Sequence, residues 1–189
     1  MKTDKQVSAD VERVLLDEAQ LHEIVERIAA QIDRDYRDCA QPLLLVGILN
    51  GSVVFFSDLI RALHIPCCID FMSVKSYVGT EPSGEPEIRL DLKEPIAGRH
   101  LLLVEDILDT GHTLDALRGI LSKRDPASIR ICTLLDKPSR REVQTMQADY
   151  VGKVIPDEFV VGYGLDYDEK YRNLPYVGIL RSSVYEHKE

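Results

Sequence analysis

The sequence predicts an α/β fold built on a central, mostly parallel sheet flanked by helices, and three observations lead there. Apolar runs of strand length, LLLVGIL, RHLLLVED and SIRICTLLD, recur down the chain. Stretches with apolar residues three and four positions apart stand between them. The 189 residues amount to one compact domain at roughly 150 residues per domain, enough to bury a core. Continuous apolar runs suit strands covered on both faces, and their alternation with helices suits parallel pairing.

The elements follow in order. Leu21, Ile24, Val25, Ile28, Ala29 and Ile32 share one helical face, and Asp17 with Gln20 forms a capping box at its start. After the polar RDYRDCAQ and Pro42, LLLVGIL is the first buried strand, broken by Asn50, Gly51 and Ser52. VVFFSDLIRALH is the next helix, and Pro66 marks its join to the strand CCIDFMSVKSY. From Val78 to Glu87 the run VGTEPSGEPE has no apolar period, which predicts an exposed, mobile loop. RHLLLVED is again a strand, TLDALRGILSKR a helix with Leu114, Leu117 and Leu121 on one face, and SIRICTLLD a strand. The last third holds two more strand-like runs, FVVGYGLDY and PYVGILR, around the charged turn DEKYRN. Nothing marks internal repeats or a second independent domain.

Composition narrows the function. Lys plus Arg number 23 against 32 Asp plus Glu, a net charge of −9, which excludes a basic-arm protein and disfavours indiscriminate binding to nucleic acid or anionic membrane. The longest strongly apolar run, Leu43 to Leu49, is far short of the roughly 20 residues a spanning helix needs. The amino-terminal MKTDKQVSADVERV has no apolar stretch after its charges, so it does not read as a signal peptide, and the cytoplasm is the expected compartment. Cys39, Cys67, Cys68 and Cys132 show no C-x-x-C spacing and are expected to be reduced, mostly buried thiols.

The stretch that carries chemistry is Leu101 to Thr113, LLLVEDILDTGHT. It reads as a strand ending in two adjacent acids, a short loop and a helix start. In an open α/β sheet that edge is where ligands bind. Gly111 permits a tight turn, and the amides from Thr110 to Thr113 at the helix N-terminus form a phosphate cradle, with the hydroxyls of Thr110 and Thr113 as further donors. Ionised Glu105 and Asp106 only accept, which suits the vicinal hydroxyls of a ribose, directly or through a metal ion. The competing local reading is a solvated turn in which Asp109 caps the helix. Neither G-x-x-x-x-G-K-[ST] nor G-x-G-x-x-G occurs.

These thirteen residues resemble the binding motif of the type I phosphoribosyltransferases: an apolar strand, two acids, two apolar residues, a variable position, then Thr-Gly-x-Thr. Asp109 at the variable position is similar to the 6-oxopurine branch, and the likeness extends over nearly the whole chain. The resemblance implies a single domain over 1–189, with a core at about 15–155. A small hood would come from about 156–189 and the N-terminus, and a mobile lid would begin at Lys75-Ser76-Tyr77, with Ser76 and Tyr77 binding substrate.

It implies transfer of ribose 5-phosphate from phosphoribosyl pyrophosphate to hypoxanthine and guanine, with Mg²⁺. Asp109 would be the general base at the purine N7 proton, and Thr110, Gly111, His112 and Thr113 would hold the 5′-phosphate. Leu49, Asn50 and Gly51 would form the pyrophosphate loop, with the Leu49–Asn50 peptide cis. Asn50 departs from the Lys or Arg of many members, leaving backbone donation in place of charge pairing. Lys137 would donate to the exocyclic oxygen of the base, Phe159 would stack on it, and the Val160 carbonyl would accept from its edge. Asp166 would hold Mg²⁺, with Glu105 and Asp106 as further metal-side carboxylates, and Arg172 would pair with pyrophosphate. His112 reads either as a pH-dependent phosphate contact or as a solvent-facing residue at a helix start. Tyr163, Tyr167 and Tyr171 pack within the hood or at a contact between subunits, and a homodimer or homotetramer is implied. Two alternatives stand beside this: a xanthine-preferring enzyme, and a nucleotide-sensing regulator that binds RNA or DNA through a patch such as Lys123-Arg124 or Arg140-Arg141.

Overall fold

The computed structural model describes residues 9–75 and 87–185. The first element is a strand, β1 (Val11–Leu16), followed by helix α1 (Glu18–Tyr36). Leu21, Ile24, Val25, Ile28, Ala29 and Ile32 are buried along one face of α1, as their spacing requires. The capping box forms: the Asp17 carboxylate accepts from the Gln20 amide at 2.8 Å, and the Gln20 side chain accepts from the Asp17 amide at 3.0 Å.

Strand β2 (Leu43–Ile48), helix α2 (Val53–Ala62) and strand β3 (Cys67–Lys75) come next, then β4 (Glu87–Leu90), β5 (His100–Leu108) and helix α3 (His112–Ser122). Strand β6 (Ser128–Asp136), a single 3₁₀ turn (Pro138–Arg140) and β7 (Tyr150–Val154) complete the large sheet, whose order is β4-β3-β2-β5-β6-β7. Every pairing in it is parallel except β3 with β4. Successive residues of β2 and β5 face opposite sides. Leu43, Leu45, Leu102 and Val104 pack with α1 and α2, and Leu44, Val46, Leu101 and Leu103 pack with α3. The result is three layers, with helices on both faces of the sheet. A smaller antiparallel sheet, β1-β9-β8, is made from β8 (Val160–Val161) and β9 (Val177–Leu180) beside β1, and the short helix α4 (Ser182–Tyr185) follows it. No helix of the described residues is long and apolar enough to cross a membrane.

Several expectations need correction. The strand read as ending at Glu105-Asp106 continues to Leu108, because the ladder to β6 runs on through Ile107↔Leu135 and Leu108↔Asp136. Glu87, placed in the loop, opens β4, an edge strand whose alternation is too short to read. The loop itself, with Ser76 and Tyr77, otherwise lies outside the described residues. FVVGYGLDY contributes a strand of two residues only, since Gly162 and Gly164 take positive φ and turn the chain. Strands β1 and β7, in VERVLL and YVGKV, were not anticipated, their apolar residues being interrupted by charge. Of the cysteines, all free, only Cys132 is buried; Cys39 and Cys67 are half-buried and Cys68 is exposed.

The cap makes the simplest test of this local reading. Asp17→Ala leaves an orphan amide at the start of α1 and is expected to cost about 1 kcal/mol, or roughly 2–4 °C in Tm, by thermal denaturation.

Candidate functional site

Strand order reverses between β2 and β5: β3 lies on one side of this pair and β6 on the other. Loops leaving the carboxyl ends of two such strands diverge and open a crevice. Leu49, Asn50 and Gly51 leave β2 here, and Asp109 to Gly111 leave β5. The Leu49–Asn50 peptide is cis. The fully buried Ser52 donates to the Ile48 carbonyl at 2.6 Å, fastening the β2–α2 turn. Gly51 has to be glycine. A Cβ there would lie 1.8 Å from the Asp106 carboxylate, while on the hood side a Cβ on Gly164 would lie 2.1 Å from the Gly51 carbonyl.

Gly111 is the N-cap of α3 with φ of +93°, a conformation that glycine adopts without strain. Asp109 therefore does not cap this helix. The first intrahelical bond is donated by Asp115 to the Gly111 carbonyl at 3.0 Å. The amides of His112, Thr113 and Leu114 are the first-turn donors left over by helix geometry. Thr110 and Thr113 are half-buried beside them. His112 is exposed and pairs with Glu142 at 2.8 Å, an arrangement that favours the solvent-facing reading over a phosphate contact.

A cavity of about 540 Å³ lies beside this turn, between the large sheet and the hood. It brings together Asp106, Asp109, Lys137, Phe159, Val160 and Asp166, all six of which were expected at one site. Ile107, Arg140 and Tyr185 also line it and were not expected. Tyr185 sits in a carboxyl-terminal segment with no apolar period, and from sequence Arg140 reads as part of a basic patch. Glu105, the turn from Thr110 to Thr113, the Leu49–Gly51 loop and Arg172 are not among the residues lining this cavity. Gly51 reaches it through its contact with Asp106, and Arg172 through a 2.8 Å ion pair with Asp166. Arg172 also donates to the Gly164 carbonyl at 2.8 Å.

Within the cavity, Asp109 Oδ1 is buried and has no hydrogen-bond partner; the nearest cation is Arg140, at 3.5 Å. Lys137 is 7% exposed. Burial pulls its ammonium below the ordinary lysine range, and Asp109 and Asp157 oppose that shift. Phe159 is stacked on Tyr185 with ring centroids 5.1 Å apart and meets Tyr167 edge-on at 5.4 Å. Val160 is held in β8 opposite Ile179. Burial, then the neighbouring Asp106 charge, raises Glu105 well above the usual carboxylate range. Burial likewise pushes Asp106 up to about 6, against the opposing amide of Ile107 and the charge of Arg172.

A mostly parallel sheet with a switch-point crevice, an acid pair at its edge and a glycine-turned helix N-terminus beside it is the architecture of a class of phosphoribosyl-binding enzymes. The chain belongs to the phosphoribosyltransferase family: the model for the phosphoribosyl transferase domain matches residues 15–168. A hypoxanthine-guanine phosphoribosyltransferase of Staphylococcus epidermidis is 51% identical over 177 residues, covering 93% of this chain and 97% of that protein. The crystal structure of a hypoxanthine phosphoribosyltransferase from Staphylococcus aureus superposes with a TM-score of 0.88 at 50% identity, covering 93% of this chain and 95% of its own. The solved structure of a single-substitution mutant of the Trypanosoma cruzi hypoxanthine phosphoribosyltransferase, complexed with the product IMP, has a TM-score of 0.90 at 39% identity, over 97% and 98% of the two chains.

The raised Asp106 has a consequence for stability. The folded chain binds this proton more tightly than the unfolded one, so ionised Asp106 weighs against the fold above about pH 6 and is neutral in both states below about pH 4. Asp106→Asn is expected to stabilise the ligand-free protein by up to ~3 kcal/mol at pH 8, the gain fading between pH 6 and pH 4. Denaturant titration at both ends of that range checks it.

Proposed function

We propose that the chain transfers ribose 5-phosphate from phosphoribosyl pyrophosphate to hypoxanthine and guanine, forming IMP or GMP and pyrophosphate. The observation that carries the reading is the pairing, across one cavity, of an Asp109 oxygen that accepts no hydrogen bond with a buried donor on Lys137. A 6-oxopurine offers the complement, with a ring N–H for the first and a carbonyl oxygen for the second. An ammonium only donates, so Lys137 favours a 6-oxo over a 6-amino base. Phe159 supplies the stacking face and Val160 a main-chain acceptor. The relatives' names, and the IMP complex of the Trypanosoma cruzi enzyme, support the same choice.

The α3 N-terminus takes the 5′-phosphate through the Gly111–Thr113 amides and the two threonine hydroxyls. Glu105 and Asp106 take the ribose hydroxyls. As the bond to pyrophosphate breaks, positive charge grows on the sugar near these acids and negative charge on the leaving group near Arg172 and the Asn50–Gly51 amides. Asp109 removes the purine N7 proton. The side chains available for a metal at the pyrophosphate side are carboxylates, hard oxygen donors suited to Mg²⁺. Among the described residues no three His, Cys, Asp or Glu converge into a cage. Asp166 on the pyrophosphate side, and Glu105 and Asp106 on the sugar side through the ribose hydroxyls, would therefore flank an ion whose oxygens come mostly from substrate and water. When bound, Mg²⁺ neutralises charge on the diphosphate.

The small sheet with α4 acts as the hood of a single domain, and a homodimer or homotetramer goes with the reading. A cytoplasmic location goes with it as well, since four free thiols, one of them exposed, suit a reducing compartment. Arg124, Arg140 and Arg141 each face a carboxylate, which weighs against a nucleic-acid patch at either arginine-containing pair.

Pyrophosphate release is expected from phosphoribosyl pyrophosphate with hypoxanthine or guanine, and to disappear with adenine or uracil or when a chelator replaces Mg²⁺. Turnover confined to xanthine overturns the base assignment. Tight binding of phosphoribosyl pyrophosphate without turnover on any base favours the regulator. Asp109→Asn is expected to lower kcat by about 10²–10⁴-fold, with the KM for phosphoribosyl pyrophosphate little changed.

A further inference from the structure

The segment after β6 holds the β5–α3 turn by three consecutive carbonyls. The Lys137 amide donates to the Leu108 carbonyl at 3.0 Å, and the amides of Glu142 and Val143 donate to the Thr110 carbonyl at 3.0 and 3.1 Å. The middle carbonyl, that of Asp109, is held by a side chain instead. Arg141 Nη1 donates to it, and Nη2 of the same guanidinium donates to the Asp136 carboxylate at the end of β6. Both side chains of that ion pair are well buried, 9% exposed for Arg141 and 15% for Asp136. The Arg141 stem also lies beneath Gly111, 3.4 Å from where a Cβ would stand.

Arg141 does not line the 540 Å³ cavity. It lines a separate recess of about 360 Å³ with Asp136 and Met146, on the far side of the turn. We propose that Arg141 is a positioning residue for the reaction: by fixing the Asp109 peptide from behind, it sets the direction in which the Asp109 carboxylate leaves the backbone, without touching substrate. The inference rests on the reading of Asp109 as the base.

The residue type follows from the geometry. Two acceptors, a carboxylate on one strand and a carbonyl on the next loop, need two donors held at a fixed angle, which a planar guanidinium provides and an ammonium does not. The bonded peptide cannot turn without leaving a partly buried carbonyl unsatisfied. A trans peptide also points its amide opposite to its carbonyl. With the 108, 109 and 110 carbonyls held, the amides of Asp109, Thr110 and Gly111 face away from the Arg141 segment.

The test uses the full chain with Arg141→Ala, Arg141→Lys, Asp109→Asn and the Asp109→Asn/Arg141→Ala double variant. A carboxylate swung out of reach by about 1 Å loses about 100-fold. Arg141→Ala is expected to lower kcat with hypoxanthine about 100-fold, but by less than threefold in the Asp109→Asn background, because a misdirected base has nothing further to lose. Guanidinium chloride at non-denaturing concentration is expected to enter the vacated recess and restore kcat about tenfold, with sodium chloride at equal ionic strength as the control. Arg141→Lys is expected to lose at least tenfold.

Equal losses in both backgrounds, full activity in Arg141→Lys, or no response to guanidinium each overturn the proposal. An Asp109→Asn enzyme as active as the parent overturns the reading of Asp109 itself, whatever Arg141 does. Thermal denaturation accompanies each variant. If Arg141→Ala is unfolded, Asp136→Asn/Arg141→Ala, which removes both buried charges, carries the same comparison with the same expected losses.

Discussion

The contact on which the site depends is the one between the Asp106 carboxylate and Gly51. At this point an acid on the central strand, a turn leaving the neighbouring strand and, one layer further out, Gly164 of the hood stand with no side chain between them. Three stretches far apart in sequence are thereby brought to one place. The consequence is electrostatic as well as steric. Closeness of backbone on one side and of sheet on the other strips water from Asp106, and its proton is held more tightly for that reason. An acid so placed is poorly solvated alone and gains most from a partner that supplies hydroxyl donors or positive charge.

Rigidity around this contact comes from the large sheet. Leu101, Leu102, Leu103 and Val104 are fully buried, and they lead straight into Glu105 and Asp106 on the same strand. The continuation of β5 to Leu108 matters here. Had the strand ended at the acids, they would have hung on a loop; paired through Ile107 and Leu108 to β6, they are carried by ladder hydrogen bonds on both sides of the pair. The turn that follows has no ladder of its own, and the segment Lys137–Val143 substitutes for one by holding its carbonyls. Binding groups are thus set on a loop, where backbone amides are free to face a ligand, while the loop itself is anchored almost as firmly as a strand.

Much of this was legible in the residues. The buried strands were long enough to declare themselves, α1 carried both its periodicity and its cap, and LLLVEDILDTGHT announced the turn. The elements that escaped were short or set at an edge. β1, β4 and β7 mix apolar and charged residues, and their pairing is decided by the partner strand rather than by their own pattern. At the cavity, residues with a motif around them, such as Asp109 and Lys137, are ones the sequence singles out. Arg140, Arg141 and Tyr185 were not identified as site residues, since their roles come from contacts with residues that are distant or on another element. Arg141 illustrates the point: from sequence an Arg-Arg pair reads as surface charge, and only the positions of Asp136 and the Asp109 carbonyl make it a buried strut.

The charge balance ties these observations together. A chain of net charge −9 that receives a polyanion has to keep its own acids from repelling it. Part of the answer lies in neutral donors, the helix amides and threonine hydroxyls, which attract phosphate without carrying a formal charge. Another part is pairing. Arg172 is engaged by Asp166, Arg140 by Asp109 and Arg141 by Asp136, so each of these arginines already has a carboxylate partner before substrate arrives. Arg172 and Asp166 are partly exposed, at 25% and 28%, and such a pair exchanges partners at little cost. Arg141 and Asp136 are far less exposed, at 9% and 15%, and breaking that pair leaves a poorly solvated charge behind. Burial therefore divides the arginines into those free to turn toward a ligand and one that is not, and the division matches their positions, the first two at or beside the cavity and the last behind it.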